Sequence, residues 1–179
     1  MYPIIPPLLA VFVWSLGGAA LVVLAMSDLR CRLVPNGWVA LLAADGLTLR
    51  LGARVEWGAP LLSIVTGLGV LLVLGQFARH GLSGGGDAKL IAAVTLAVPP
   101  IQVPALLLAI MLAGGLIAGI YACARCMARH DGVLLDAGRG AFHQFLQRER
   151  RRTVCAVPMP YAVAVAAGTL GFLVHGLIP

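Results

Sequence analysis

The stretch LLAVFVWSLGGAALVVLAMSD, residues 8–28, decides what kind of molecule this chain builds. It holds no charge until Asp28. A bilayer core of about 30 Å takes about 20 helical residues to cross, and the apolar run from residue 8 to residue 26 meets that length. No basic residue precedes it, so it lacks the positive flank of a secretory signal peptide and reads as a retained transmembrane helix. The helix then ends on a carboxylate, where hydrocarbon gives way to water.

The same reading extends along the chain. Sixty per cent of the 179 residues are hydrophobic and 11% are charged, against roughly half and a quarter in soluble domains. Hydropathy predicts six apolar segments, at about 8–27, 37–51, 59–78, 88–98, 101–122 and 157–178. The expected fold is therefore all-α, a polytopic membrane protein with six transmembrane helices, as a single domain over 1–179 with a polar loop at about 124–153. The second and fourth segments are short for a full crossing, which is tolerated where a helix lines a polar cavity inside the protein. PPIQVP, residues 99–104, is a proline-bounded turn. The net charge of +6 comes without interleaved aromatic and basic residues, which excludes a nucleic-acid partner.

The basic residues instead set orientation. With the loops after segments 1, 3 and 5 on one side, that side holds Arg30, Arg32, Arg79, Lys89, Arg125, Arg129, Arg139, Arg148, Arg150, Arg151 and Arg152. The other side holds only Arg50 and Arg54. The positive-inside rule makes the first side cytoplasmic and puts both termini outside. Cys31, Cys123, Cys126 and Cys155 fall on that reducing side, against structural disulfides.

Seven acids can then be weighed singly. Glu56, Asp131, Asp136 and Glu149 lie in polar loops and read as solvated. Asp28 closes the first segment and Asp87, in GLSGGGDAKLIAA (residues 81–93), opens the fourth. Both fall at the cytoplasmic boundary, where a carboxylate is costly and points to function. Carboxylates within a few ångströms of each other resist joint ionisation and share a proton, so one can activate water while its protonated partner polarises a carbonyl. Gly84, Gly85 and Gly86 can adopt positive φ and bring backbone near an extended peptide. The ordinary alternative pairs Asp28 with Arg30 or Arg32, and Asp87 with Lys89. Asp45 lies nine residues into the second segment, roughly 13 Å beyond Asn36. Its expected surroundings are a wet cavity or a local bond near Thr48.

These residues resemble the prepilin peptidases, or type IV leader peptidases, which are intramembrane aspartyl proteases of the GxGD type. The resemblance rests on DLRCRLVPNGW (residues 28–38), on GGGDAK (residues 84–89) and on Pro160-Tyr161 before the last helix. It implies that Asp28 and Asp87 are the catalytic pair. It also makes Pro35, Asn36, Gly84, Gly85, Gly86 and Lys89 supporting or substrate-binding residues, with no metal or organic cofactor. The implied substrate is the leader of a prepilin or pseudopilin, basic and followed by a hydrophobic helix. The family cuts after a glycine at the cytoplasmic face of the bacterial inner membrane. Larger members carry a zinc-binding loop of two Cys-x-x-Cys pairs, linked to N-methylation. Here residues 30–36 are all that separates the first two helices, as in the short form serving Flp/Tad-type pili. The last motif usually reads Pro-Tyr-Gly, whereas this chain has Ala162.

Several other features take plainer readings. Cys123-Ala-Arg-Cys126 has metal-ligand spacing, but one pair on a helix end reads as free thiols. Arg148 and Arg150–Arg152 read as an anchor to anionic lipid, since they repel a basic leader. DAGRGAFHQFLQRERRR, residues 136–152, spaces Phe142, Phe145 and Leu146 for an interfacial helix. His80 reads as an interfacial histidine and the paired glycines of segments 1, 3, 5 and 6 as packing. From a different class, a small proton-coupled transporter using Asp28, Asp45 and Asp87 as a relay stays open.

Overall fold

A computed structural model describes residues 7–31, 33–52, 58–81, 84–130 and 160–177. These residues form six α-helices: α1 (Pro7–Cys31), α2 (Asn36–Gly52), α3 (Gly58–Arg79), α4 (Gly85–Thr95), α5 (Val103–His130) and α6 (Tyr161–Leu177). A short 3-10 turn, Pro100–Gln102, leads into α5. There is no strand among the described residues. Three helical stretches are long and apolar enough to cross a membrane: Phe12–Cys31, Gly58–Arg79 and Pro100–Cys123. By contacts the chain falls into two compact units, residues 1–113 with 160–179, and residues 114–159. The description below concerns the first unit except where α5 runs on.

Local chemistry explains the helix ends. The Pro35 carbonyl accepts from the N–H groups of Trp38 and Val39 at 3.2 and 3.4 Å, starting α2. α3 stops where Gly81 turns left-handed (φ 72°) and its N–H donates to Ala78 O at 3.1 Å, a turn that a residue with a Cβ resists. α4 stops in a turn whose last bond runs from Val98 N–H to Thr95 O, before two prolines that cannot extend a helix. Several boundaries differ from expectation, among them the end of α4 at Thr95 rather than 98 and the start of α6 at Tyr161 rather than 157. α4 begins at Gly85 rather than 88, because a first helical turn leaves its N–H groups without intrahelical partners and so tolerates glycine there. α5 continues to His130 through residues expected in the polar loop, since hydropathy reports lipid exposure rather than helix formation. The remainder of that loop, where an interfacial helix was expected and where the Arg148–Arg152 run falls, lies outside the described residues, as does Cys155.

The short α4 is the centre of the unit. Ala88 and every residue from Leu90 to Thr95 are buried, which is why this helix is apolar all round rather than along one stripe. It packs on α3, α2 and α6, while α1 packs on α2 and α6. Leu24, Leu90, Val94, Leu106, Ile110 and Val165 are the large side chains sealed at the middle. The outer faces are apolar too, with Leu61, Leu68 and Leu72 of α3 exposed, as suits lipid.

Small residues set the closest crossings. In the pairs Gly17-Gly18, Gly67/Gly69 and Gly168/Gly171, the first member faces a neighbouring helix or turn and the second faces open space. A Cβ on Gly168 meets the backbone of Ile110 at 2.6 Å, and one on Gly46 meets the backbone nitrogen of Ala97 at 2.8 Å. Backbone cannot step aside as a side chain can. Gly168→Ala and Gly46→Ala are therefore expected to cost about 1–3 kcal/mol each by overpacking. Gly69→Ala and Gly171→Ala should leave thermal melting in detergent near wild type. Equal melting points across the four variants would contradict these crossings.

Candidate active site

Asp28 stands in the last turn of α1 and is 7% exposed. Its Oδ2 accepts from the main-chain N–H of Ala162 at 2.9 Å, across 134 residues of sequence. Ala162 is the second residue of α6, just after buried Pro160. The first N–H groups of a helix lack intrahelical acceptors, and here a carboxylate from another helix supplies one. Asp28 thus docks the start of α6, a role that the sequence reading did not assign. The signal was present in the proline followed by a helix start, but nothing in the sequence named the acceptor.

Asp87 occupies the third position of α4, after the N-cap Gly84. Its carboxylate accepts from the Gly84 N–H, the reach-back half of a capping box. The three glycines do not take up the positive φ expected of them. Gly84 has φ −74° and ψ 135°, an ordinary extended backbone, and Gly85 and Gly86 are helical; Gly81 is the one positive-φ glycine among the described residues. What Gly84 supplies is space, since a Cβ there comes within 2.6 Å of Asp87 Oδ2. A Cβ on Gly86 meets Val34 at 3.3 Å, and one on Gly85 meets nothing within 4 Å.

Asp87 lies within the electrostatic field of Asp28, and the half-buried Tyr161, at the first position of α6, lies within the field of Asp87. Around them, Lys89 Nζ donates to Asn36 Oδ1 at 3.3 Å, tying the start of α4 to the start of α2. Pro35 supplies the carbonyl that opens α2. Ser27 Oγ donates to Leu33 O at 3.0 Å, which holds the link between α1 and α2 beside the pair. Lys89 therefore bonds to Asn36, not to Asp87. A carboxylate pair with backbone donors on both members can hold one proton between them and activate a water.

Asp45 is not part of this group. It is 8% exposed, and its Oδ2 presses on the position where Gly17 would carry a Cβ. Gly17 stands eleven residues before Asp28 on α1, about 16 Å along the helix. Thr48, expected beside Asp45, turns its hydroxyl to Ala44 O at 2.7 Å instead. Cys31, Cys123 and Cys126 are exposed. Among the described residues, no group of three His, Cys, Asp or Glu side chains gathers as a metal site.

Comparison with known proteins gives one finding. The family model of the type IV leader peptidase family matches residues 15–122, more than half of the chain and including Asp28, Asn36, the Gly84–Asp87 motif and Lys89. No curated protein and no solved structure matches the chain. The match takes in both carboxylates and stops short of α6, so the contact with Ala162 comes from the fold. By the extent of that match, the chain belongs to the type IV leader peptidase family, a family of peptidases.

Proposed function

We propose that this protein is an intramembrane aspartyl endopeptidase that removes the N-terminal leader of prepilins or pseudopilins. Asp28 and Asp87 are the catalytic pair. One takes a proton from the attacking water while the other, protonated, donates to the scissile carbonyl. When the tetrahedral intermediate collapses, the amine leaves with a proton from the pair. Water is the nucleophile, and neither metal nor organic cofactor takes part. The whole chain acts as one peptidase domain of six membrane-crossing helices in the bacterial inner membrane. Its termini lie outside and the pair faces the cytoplasm, as the eleven-to-two distribution of basic residues favours. Gly84–Gly86, Pro35, Asn36 and Lys89 line the approach of the extended leader.

The observation that supports this reading is that the charge of Asp28 reaches Asp87, 59 positions away in sequence and at the end of another helix. A proton relay needs its acids spaced as steps, and Asp45 stands well removed from the pair. The test is co-expression with a prepilin, followed by precursor size and N-terminal sequencing of the product. The expected outcome is a shortened pilin whose new N-terminus lies just after the leader's glycine. A precursor that stays full length beside the wild-type chain, or one cut elsewhere, overturns the reading.

A further inference from the structure

Asp28 and Asp87 are borne by α1 and α4, and the helices that pack on both of these are α2 and α6. On the α2 side the polar tie at the pair is the exposed bond from Lys89 to Asn36. On the α6 side it is buried: Pro160 and Ala162 have almost no exposure, and the Ala162 N–H meets Asp28 Oδ2 at 2.9 Å. Tyr161, one residue earlier, stands within reach of Asp87's charge. One turn of α6 therefore bonds to Asp28 and lies within reach of Asp87's charge.

We infer that the first turn of α6, through the main-chain N–H of Ala162, is the positioning element that holds the Asp28 carboxylate in its reacting orientation toward Asp87. This rests on the peptidase reading of the pair. A carboxylate at the end of a helix turns about two side-chain torsions. A buried donor whose place is set by backbone removes that freedom at small entropic cost. Pro160 restricts its own φ and biases the residue before it toward extended backbone, so the entry to α6 is stiff. Because the donor is main chain, the side chain at 162 takes no part in the contact. A hydrogen bond to a charged group is among the stronger ones, and leaving such a group without its buried partner is costly. The geometry of the pair is thus decided by a residue 134 positions from Asp28 that performs no chemistry itself.

The test removes that N–H while leaving every side chain in place; the ester also weakens the preceding carbonyl as an acceptor, which the control below shares. Incorporating the α-hydroxy acid analogue of alanine at position 162 replaces the Tyr161–Ala162 amide by an ester. The same replacement at 163 deletes the neighbouring amide of that turn and serves as the control. Loss of a charge-assisted hydrogen bond is expected to lower kcat roughly 10- to 100-fold at position 162 with KM for the prepilin unchanged. Position 163 should keep its rate. An unchanged kcat for the ester at 162, or equal losses at 162 and 163, overturns the proposal. Thermal melting decides it independently of turnover. The ester at 162 should lower the melting temperature in the wild-type background and not in Asp28→Ala, because the coupling vanishes with the acceptor; equal shifts in both backgrounds contradict it. If the wild-type chain cuts no prepilin, the peptidase reading falls while the melting cycle still reports the Asp28–Ala162 contact.

Discussion

Asparagine in place of either Asp28 or Asp87 is expected to lower leader removal by about 10²–10⁴-fold, the range that a general acid or base supplies. The substitution isolates chemistry from structure. Asp28→Asn still presents an oxygen to the Ala162 N–H, and Asp87→Asn still offers one to the Gly84 N–H, so both helix starts keep their partners. What is lost is the ability to take or give a proton. Asp45→Asn is the control. Asp45 packs on α1 at Gly17, far along that helix from Asp28, and its neutral isostere should process at a rate near wild type. The measurement is the initial rate of precursor shortening by purified variants, with melting temperatures confirming that each is folded. Processing that survives in both the Asp28 and the Asp87 variant excludes this pair. Loss confined to Asp45→Asn would instead favour the relay.

The second large effect comes from a methyl group. Gly84→Ala puts a Cβ 2.6 Å from Asp87 Oδ2 and 3.4 Å from its Cγ. The neighbour that can move is the carboxylate itself, and its displacement disturbs the bond to Gly84 N–H. A displacement of about 1 Å at a reacting group costs on the order of 10²-fold in rate, so Gly84→Ala should process slowly. Its stability should fall by only about 0.5–2 kcal/mol, as for a poorer N-cap. Gly85→Ala adds a methyl to open space in a helical first turn. It should hold or raise stability, by up to about 1 kcal/mol. The pair of variants also separates two uses of the glycines. If their role is room for Asp87, Gly84→Ala alone lowers kcat. If they also admit the leader's backbone, Gly85→Ala raises KM while leaving kcat in place.

Much of the architecture was legible in residue order. The apolar segments anticipated all six described helices, because lipid demands long uninterrupted apolar runs and tolerates few charges. Boundaries were less legible where polar and helical character part company, as at the far end of α5 and in the glycines that join α4. Asp28 and Asp87 stood out because a carboxylate at membrane depth is costly and a chain with few charges leaves few to weigh. The conformational role expected of Gly84–Gly86 did not hold: their backbone is ordinary, and the value of Gly84 lies in an absent Cβ.

What the sequence by itself determined is the membrane class, the helix order and the short list of acids, since these follow from hydropathy and from the scarcity of charge. Tertiary structure decided which acids lie within reach of each other's charge and which main-chain donor Asp28 bonds to. Asp45 differs little from Asp28 in burial, and only the packing of α2 on α1 separates it from the pair. The Ala162 N–H is invisible in a sequence because every residue except proline has one. It becomes a specific contact only when α6 starts beside the end of α1, where a carboxylate waits for the donor that a new helix cannot use itself.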